Sequence, residues 1–309
     1  MSKYLFRRLL QSVPVIIGVA LIAFVLTQLS GNPVRSLLAQ GTNPETIRRV
    51  NEFYGFNKPW YERFGKYMGN LATGNLGASI LNHGEPVREM IVNGMRVTLK
   101  LALGAVIFAT IMGIALGILS AWKPYSLVDY ASSVFAAIGV SFPAFFLAML
   151  LMMVFAIHYK WFPVGDYRPG EIKYLVLPCL TLGLISTASI ARLTRNCMLE
   201  TLSQDFIRSG RAKGLKKWTV LLGHALPNAL VPVITIIGTD FASLLVGAVL
   251  TETVFNIPGM GQVISAAIFG RDLPVVMGCC IVFALVFILI NLVVDVSYAF
   301  LDPRIRHAD

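Results

Sequence analysis

Six stretches of this 309-residue chain are almost free of charge, each long enough to cross a bilayer as a helix, and that feature decides what the chain can become. They run over Leu9–Leu29, Leu101–Trp122, Val134–Ile157, Leu175–Ala191, Leu230–Val254 and Val275–Leu301. A hydrocarbon core about 30 Å thick takes roughly 20 apolar residues in a helix. With 56% apolar and 14% charged residues, the chain is too greasy for a soluble protein of this length. The expectation is an all-α polytopic membrane protein with six transmembrane helices and a long external segment after the first. Lys3, Arg7 and Arg8 precede the first run, as in a secretion signal. That run is longer than a signal core and ends at Ser30-Gly-Asn-Pro33 with no small-x-small cleavage site, so it reads as a retained span.

Charge sets the orientation. Residues 192–217 carry seven Lys or Arg against Glu200 and Asp205, whereas the two short loops assigned to the other side are nearly balanced. With Lys3, Arg7 and Arg8 at one end and Arg304 and Arg306 at the other, the positive-inside rule places both termini and the basic stretch in the cytoplasm. The net charge of +10 follows partly from this asymmetry and gives no reason to invoke nucleic acid. Cys179, Cys197, Cys279 and Cys280 lie in or beside spans, with no disulfide framework or metal-ligand spacing.

The polar island Ser203–Gly214 reads as one short helix over Gln204–Lys213. Ser203 is a suitable N-cap. Asp205 in the first turn and Lys213 in the last both suit the helix dipole. Gly214 can take the left-handed conformation that closes a helix. Gly210 and Ala212 leave part of the surface nearly bare, so another protein can approach closely. A plain amphipathic helix on the membrane surface has the same pattern. Within the spans, Ala105, Ala109, Gly113, Gly117 and Ala121 form a ridge of small residues suited to close helix packing. Ser141, Phe142 and Pro143 interrupt the third span, because proline removes a backbone hydrogen bond; this is a candidate hinge or pathway lining. Asp240 and Ser243 share a helical face with Gly247 and Thr251. A carboxylate at membrane depth normally faces a cavity or a partner. Glu252 lies nearer the outer interface.

Together with His224-Ala-Leu-Pro227, the polar island resembles the cytoplasmic signature of bacterial ABC-importer permeases: Glu-Ala-Ala, three residues, Gly, nine residues, then Ile-x-Leu-Pro. Gly214, Leu226 and Pro227 fall in register. Arg208-Ser209-Gly210 replaces the opening triplet and His224 the Ile; with Arg211-Ala-Lys-Gly214, these departures are similar to the dipeptide/oligopeptide/nickel branch. Further matches are Gly74-Asn-Leu-Gly-Ala-Ser79, Thr98-Leu99, the run from Glu252 to Gly261, Arg271-Asp-x-Pro274 and Asp302-Pro-Arg304. The resemblance implies a type I ABC importer permease fold. Residues 1–31 would be the cytoplasmic N-terminus and first helix, 32–98 an extracytoplasmic segment, and 95–302 a five-helix core. That core contains the coupling helix 203–214, and 303–309 is a cytoplasmic tail.

By the same resemblance, Asp205, Arg208, Gly210, Arg211, Ala212, Lys213, Gly214, Leu226 and Pro227 meet an ATPase subunit. The implied partners are a second homologous permease, two ATP-binding subunits carrying ATP and Mg, an extracytoplasmic substrate-binding protein and the bilayer of a bacterial inner membrane. This chain itself would hold no cofactor and no metal and would not be an enzyme. It has no Gly-x4-Gly-Lys-Ser/Thr phosphate loop, and His83, His158, His224 and His307 are scattered. Peptides are the expected substrate, with nickel complexes or glutathione as alternatives inside the family. The alternative from another class is a secondary transporter using Asp240 or Glu252 as its coupling carboxylate, although the two halves show no internal repeat.

Overall fold

The computed structural model describes residues 2–29, 43, 45, 48–49, 51–52, 58–82 and 84–301. The chain end 303–309, Asp302-Pro-Arg304 and most of the helix expected near Pro44–Tyr54 lie outside the described residues. Helices are α1 (Ser2–Leu29), α2 (Trp60–Ala72), α3 (Val87–Trp122), α4 (Leu127–Ser141), α5 (Ala144–Leu151) and α6 (Lys173–Leu202). They continue with α7 (Asp205–Ala212), α8 (Leu226–Gly247), α9 (Val249–Val254), α10 (Met260–Gly270) and α11 (Leu273–Leu301). A wider, π-helical turn follows α5 over Met152–His158, and another precedes α8 over Thr219–Ala225.

Among the described residues, five helical segments are long and apolar enough to cross a membrane: Leu10–Leu29, Val87–Trp122, Lys173–Leu202, Thr219–Val246 and Leu273–Val296. A sixth is reached if the bent pair Leu127–Gly139 and Ala144–His158 counts as one span. The pair is bent by 107°, with the break at the expected Ser141–Pro143. Pro143 has no N–H to give the preceding turn, and Phe142 takes an extended backbone before α5 begins. The fifth span differs from expectation. The helical rod starts at Thr219 rather than Leu230 and ends at Gly247, while residues Val249–Val254 form the separate α9. Glu252 and Thr251 therefore leave the helix that carries Asp240.

The chain groups into two compact units, Met1–Thr98 with Pro258–Ile288, and Leu99–Ile257 with Leu289–Asp309. In the first, Val87, Ile91, Met260, Val275 and Phe283 form a buried core. Its polar staples use the motifs noted above. Asp272 is buried and accepts from the Ser79 hydroxyl and from the backbone N–H of Ile80 and Leu81, both at 3.2 Å. The Met260 N–H donates to Thr98 Oγ1 at 2.8 Å. Gly77 holds φ +86°, a backbone few other residues adopt, where the chain turns toward Pro86.

In the second unit the small-residue ridge of α3 is spent against α6. Ala105 and Ala109 are fully buried. A Cβ on Gly113 would sit 2.7 Å from Ile190 Cβ, and one on Gly117 would sit 2.8 Å from the Ala191 carbonyl. Backbone cannot give way as a side-chain tip can. Gly117→Val should lower the stability of the detergent-solubilised protein by about 1–3 kcal/mol, read as an earlier thermal unfolding midpoint. Leu119→Val, on an exposed position of the same helix, should leave that midpoint nearly unchanged.

Candidate functional site

The polar island becomes a helix clamped between two turns. α6 ends at Leu202, and Ser203 closes it: its N–H and its hydroxyl both donate to the Glu200 carbonyl, at 3.2 and 2.7 Å. Ser203 therefore ends the previous helix rather than capping the next. The N-cap is Gln204, in an extended backbone and without a side-chain cap, and the helix covers Asp205–Ala212. Its end follows expectation. Gly214 holds φ +81°, and its N–H donates to the Arg211 carbonyl at 3.0 Å while that of Leu215 reaches back to Gly210 at 3.4 Å. This pair of bonds is a Schellman closure, which needs the left-handed residue.

One side chain anchors the helix from below. Ile207 is 1% exposed and sits among Met198, Val220, Leu221 and Ala225, so α7 rests on the end of α6 and on the π-helical turn leading into α8. Burying one such side chain contributes roughly 1.5–3 kcal/mol. Leu226 packs partly against the same cluster, and Pro227 is exposed where the π-helical turn passes into α8. Gly210 is half-buried, and a Cβ there would touch the Leu215 side chain at 3.6 Å. Ala212 is exposed.

The outward surface is basic. Arg208, Arg211, Lys213, Lys216 and Lys217 are all exposed. Asp205 lies 3.5 Å from Arg208, but both side chains are so open to solvent that the pair holds little energy. Phe206, Leu215 and Trp218 are exposed among these cations. The Trp218 ring lies 4.5 Å from that of Trp122, and the Lys123 ammonium lies 5.4 Å from the Trp122 ring. The surface combines positive charge, a few apolar rings and a rigid base.

A second joint lies in the same unit. Arg195 forms a two-pronged pair with Asp129, Nε to Oδ1 at 2.5 Å and Nη2 to Oδ2 at 2.7 Å. Asp129 also accepts from the Ser120 hydroxyl and from the Tyr125 N–H at 2.8 Å. The α3–α4 connection is thereby tied to α6. A local signal was available, since Asp129 is the sole carboxylate between Trp122 and Trp161 and lies three residues after the capping Ser126.

The pathway candidates are dispersed. Ser141, Phe142 and Pro143 are exposed at the α4–α5 break, where the Ser141 hydroxyl donates to the Ala137 carbonyl at 2.8 Å. Asp240 is half-buried on α8, and its Oδ2 is buried without a hydrogen-bond partner among the described residues. Ser243, one turn on, is exposed and donates to the Thr239 carbonyl at 2.9 Å. Glu252 is fully buried on α9, which packs against α5 and α6, and so does not join them.

Removing Asp129 strands the Arg195 charge, a hydroxyl and an N–H together. Asp129→Ala should destabilise the protein by about 3 kcal/mol in a denaturation series in detergent. The double variant Asp129→Ala with Arg195→Met should lose less than the sum of the two single losses.

Residues 113–307 match the family described as the binding-protein-dependent transport system inner membrane component. The dipeptide transport system permease protein DppB of Alkalihalophilus pseudofirmus is 41% identical, over 99% of this chain and 100% of its own length. The oligopeptide transport system permease protein AppB of Bacillus subtilis is 36% identical over the same shares. Among solved structures, the MetNI methionine ABC transporter in an inward-facing form superposes with a TM-score of 0.59 at 18% identity, covering 71% of this chain and 99% of that one. An amino acid ABC transporter crystallised with histidines gives 0.56 at 13% identity, with 69% and 94% covered. These last two speak for the fold alone.

Proposed function

The chain belongs to the family of binding-protein-dependent transport system inner membrane components, and from that membership we propose that it is the translocation subunit of an ATP-driven importer of di- or oligopeptides. The observation that carries the substrate class is end-to-end likeness to permeases named for dipeptide and oligopeptide transport. The partners in this reading are a second, similar permease, two ATP-hydrolysing subunits that bind ATP and Mg, and an external substrate-binding protein. Both termini and α7 face the cytoplasm, in keeping with the basic residues there.

In this reading α7 is the coupling helix. ATP binding draws the two ATPase subunits together, and α7 follows. Because Ile207 seats α7 on the end of α6 and on the turn that becomes α8, a push on α7 is delivered to two membrane helices at once. The Asp129–Arg195 pair passes the movement of α6 to the start of α4. The break at Ser141–Pro143 and the chain end of α8 at Gly247 are where the helices bend. Asp240, with a carboxylate oxygen left without a partner among the described residues, and Ser243 line the path that opens. Occupancy of the external protein biases the inward–outward equilibrium through contacts that differ between the two states.

Reconstituted vesicles test this directly. Uptake of a dipeptide should require internal ATP, the ATPase subunits and the binding protein, and should persist when proton and sodium gradients are collapsed. Uptake driven by an ion gradient alone would rule the reading out. A finer test uses Gly214. A Cβ there meets nothing within 4 Å, so a substitution acts only through the positive φ. Gly214→Val should leave insertion intact and cut ATP-coupled uptake at least about tenfold, whereas Gly214→Asn, which tolerates the left-handed backbone, should retain most of it.

A further inference from the structure

A cavity of about 470 Å³ lies within the unit of Met1–Thr98 and Pro258–Ile288. Its walls are the last turns of α1, the helix α2, the turn at residues 75–78 and the first turns of α11. The volume falls in the range of about 300–1,000 Å³ that holds small-molecule ligands. One part of the lining is apolar, with Phe24, Leu273 and Met277; another carries two cations, Arg63 and Lys66, and the described lining residues include no carboxylate. The Arg63 guanidinium donates to Gln28 Oε1 at 2.9 Å and lies 5.7 Å from the Phe24 ring, which fixes its orientation.

Two neutral donors beside these cations are not used by the fold. The Tyr67 hydroxyl and the Gln28 amide nitrogen are buried and have no hydrogen-bond partner among the described residues. Burial pushes the Tyr67 hydroxyl above the ordinary phenol range, so it stays a donor. A buried donor without an acceptor costs roughly 1–3 kcal/mol, and two of them beside two cations indicate an acceptor-rich, anionic ligand.

The position identifies the ligand's class. The apolar run Leu10–Leu29 ends at this cavity and the apolar run Leu273–Val296 begins there, so cations and amides meet hydrocarbon at one level. That is the layer where a membrane protein meets lipid headgroups. We propose that the cavity binds the headgroup of an anionic glycerophospholipid. The phosphate lies against Arg63 and Lys66, Tyr67 and Gln28 donate to phosphate or glycerol oxygens, and the root of an acyl chain runs along Phe24 and Met277.

The full-length chain, purified in detergent and titrated with phosphatidylglycerol or phosphatidylcholine, provides the test by native mass spectrometry. Phosphatidylglycerol should be retained preferentially, and the double variant Arg63→Gln/Lys66→Gln should weaken its retention roughly thirtyfold, about fivefold for each cation. Lys58→Gln removes an exposed cation outside the cavity and should change nothing. Tyr67→Phe, which deletes only a hydroxyl, should weaken retention roughly threefold, and it decides the matter if the double variant does not insert. Equal retention of the two lipids, or variants that keep the wild-type preference, would overturn the proposal. So would displacement of the lipid by excess inorganic phosphate or by a dipeptide, since either would mark a site for soluble anions.

Discussion

Inside a hydrocarbon layer a backbone N–H or C=O has no water to turn to, so each must be satisfied within its own helix or by a neighbour. The long helices of this chain obey that rule over nearly their whole length, and the exceptions are few. The break at Ser141–Pro143 frees backbone groups between α4 and α5, and α8 ends at Gly247, one residue before α9 begins. Pro14 lies midway along α1 and removes one bond of its ladder, whereas two other prolines fall where they do less harm. Pro178 and Pro232 lie near the starts of α6 and α8, and the latter follows a π-helical turn that already relaxes the hydrogen-bond ladder. Irregular backbone is thus confined to a few places among the described residues, and the bending proposed above falls at two of them.

Stiffness also governs the short helix α7. Eight residues of isolated helix have almost no stability in water, because nucleation costs more than so few bonds return. The helix persists through its two ends and its one anchor: Ser203 closing α6, the Schellman pair at Gly214, and Ile207 in the cluster with Met198 and Val220. The same three contacts that make it a helix fix it to α6 and to the turn before α8. In the proposed reading, folding and force transmission would therefore rest on one set of interactions, and a helix held more loosely would slip under load rather than move its neighbours.

The apolar runs were legible in the sequence because their signal is local and additive, summed over a window of residues. Helix ends were less so. α3 starts at Val87, 14 residues before the apolar run at Leu101, and α6 continues past Ala191 to Leu202, because polar residues extend a helix into water without any apolar signal. Ser203 was misplaced for a related reason. A serine can close one helix or open the next, and the Glu200 carbonyl left open at the end of α6 competed successfully for it. Gly214 was legible because few residues other than glycine fill a left-handed closure. The Asp129–Arg195 pair joins positions 66 apart, and no local pattern carries a contact of that range, although a single acid in a long neutral stretch marks where one is needed.

Burial separates the motifs that share a family pattern. Ser79, Thr98 and Asp272 are each no more than 2% exposed, and the hydrogen bonds of Ser79 and Asp272 go to the loop at residues 79–82, that of Thr98 to the start of α10. A donor or acceptor consumed inside its own chain has nothing left for a partner, so these residues hold a scaffold. Arg208, Arg211 and Lys213 are the opposite: their backbone is committed to α7 and its closure, yet their side chains remain outside. The backbone that carries these exposed side chains is already ordered as a helix, so a complementary surface has only the side chains themselves left to order. That difference is why resemblance in the outer motifs speaks for the fold, while resemblance in the basic stretch speaks for what the fold is connected to.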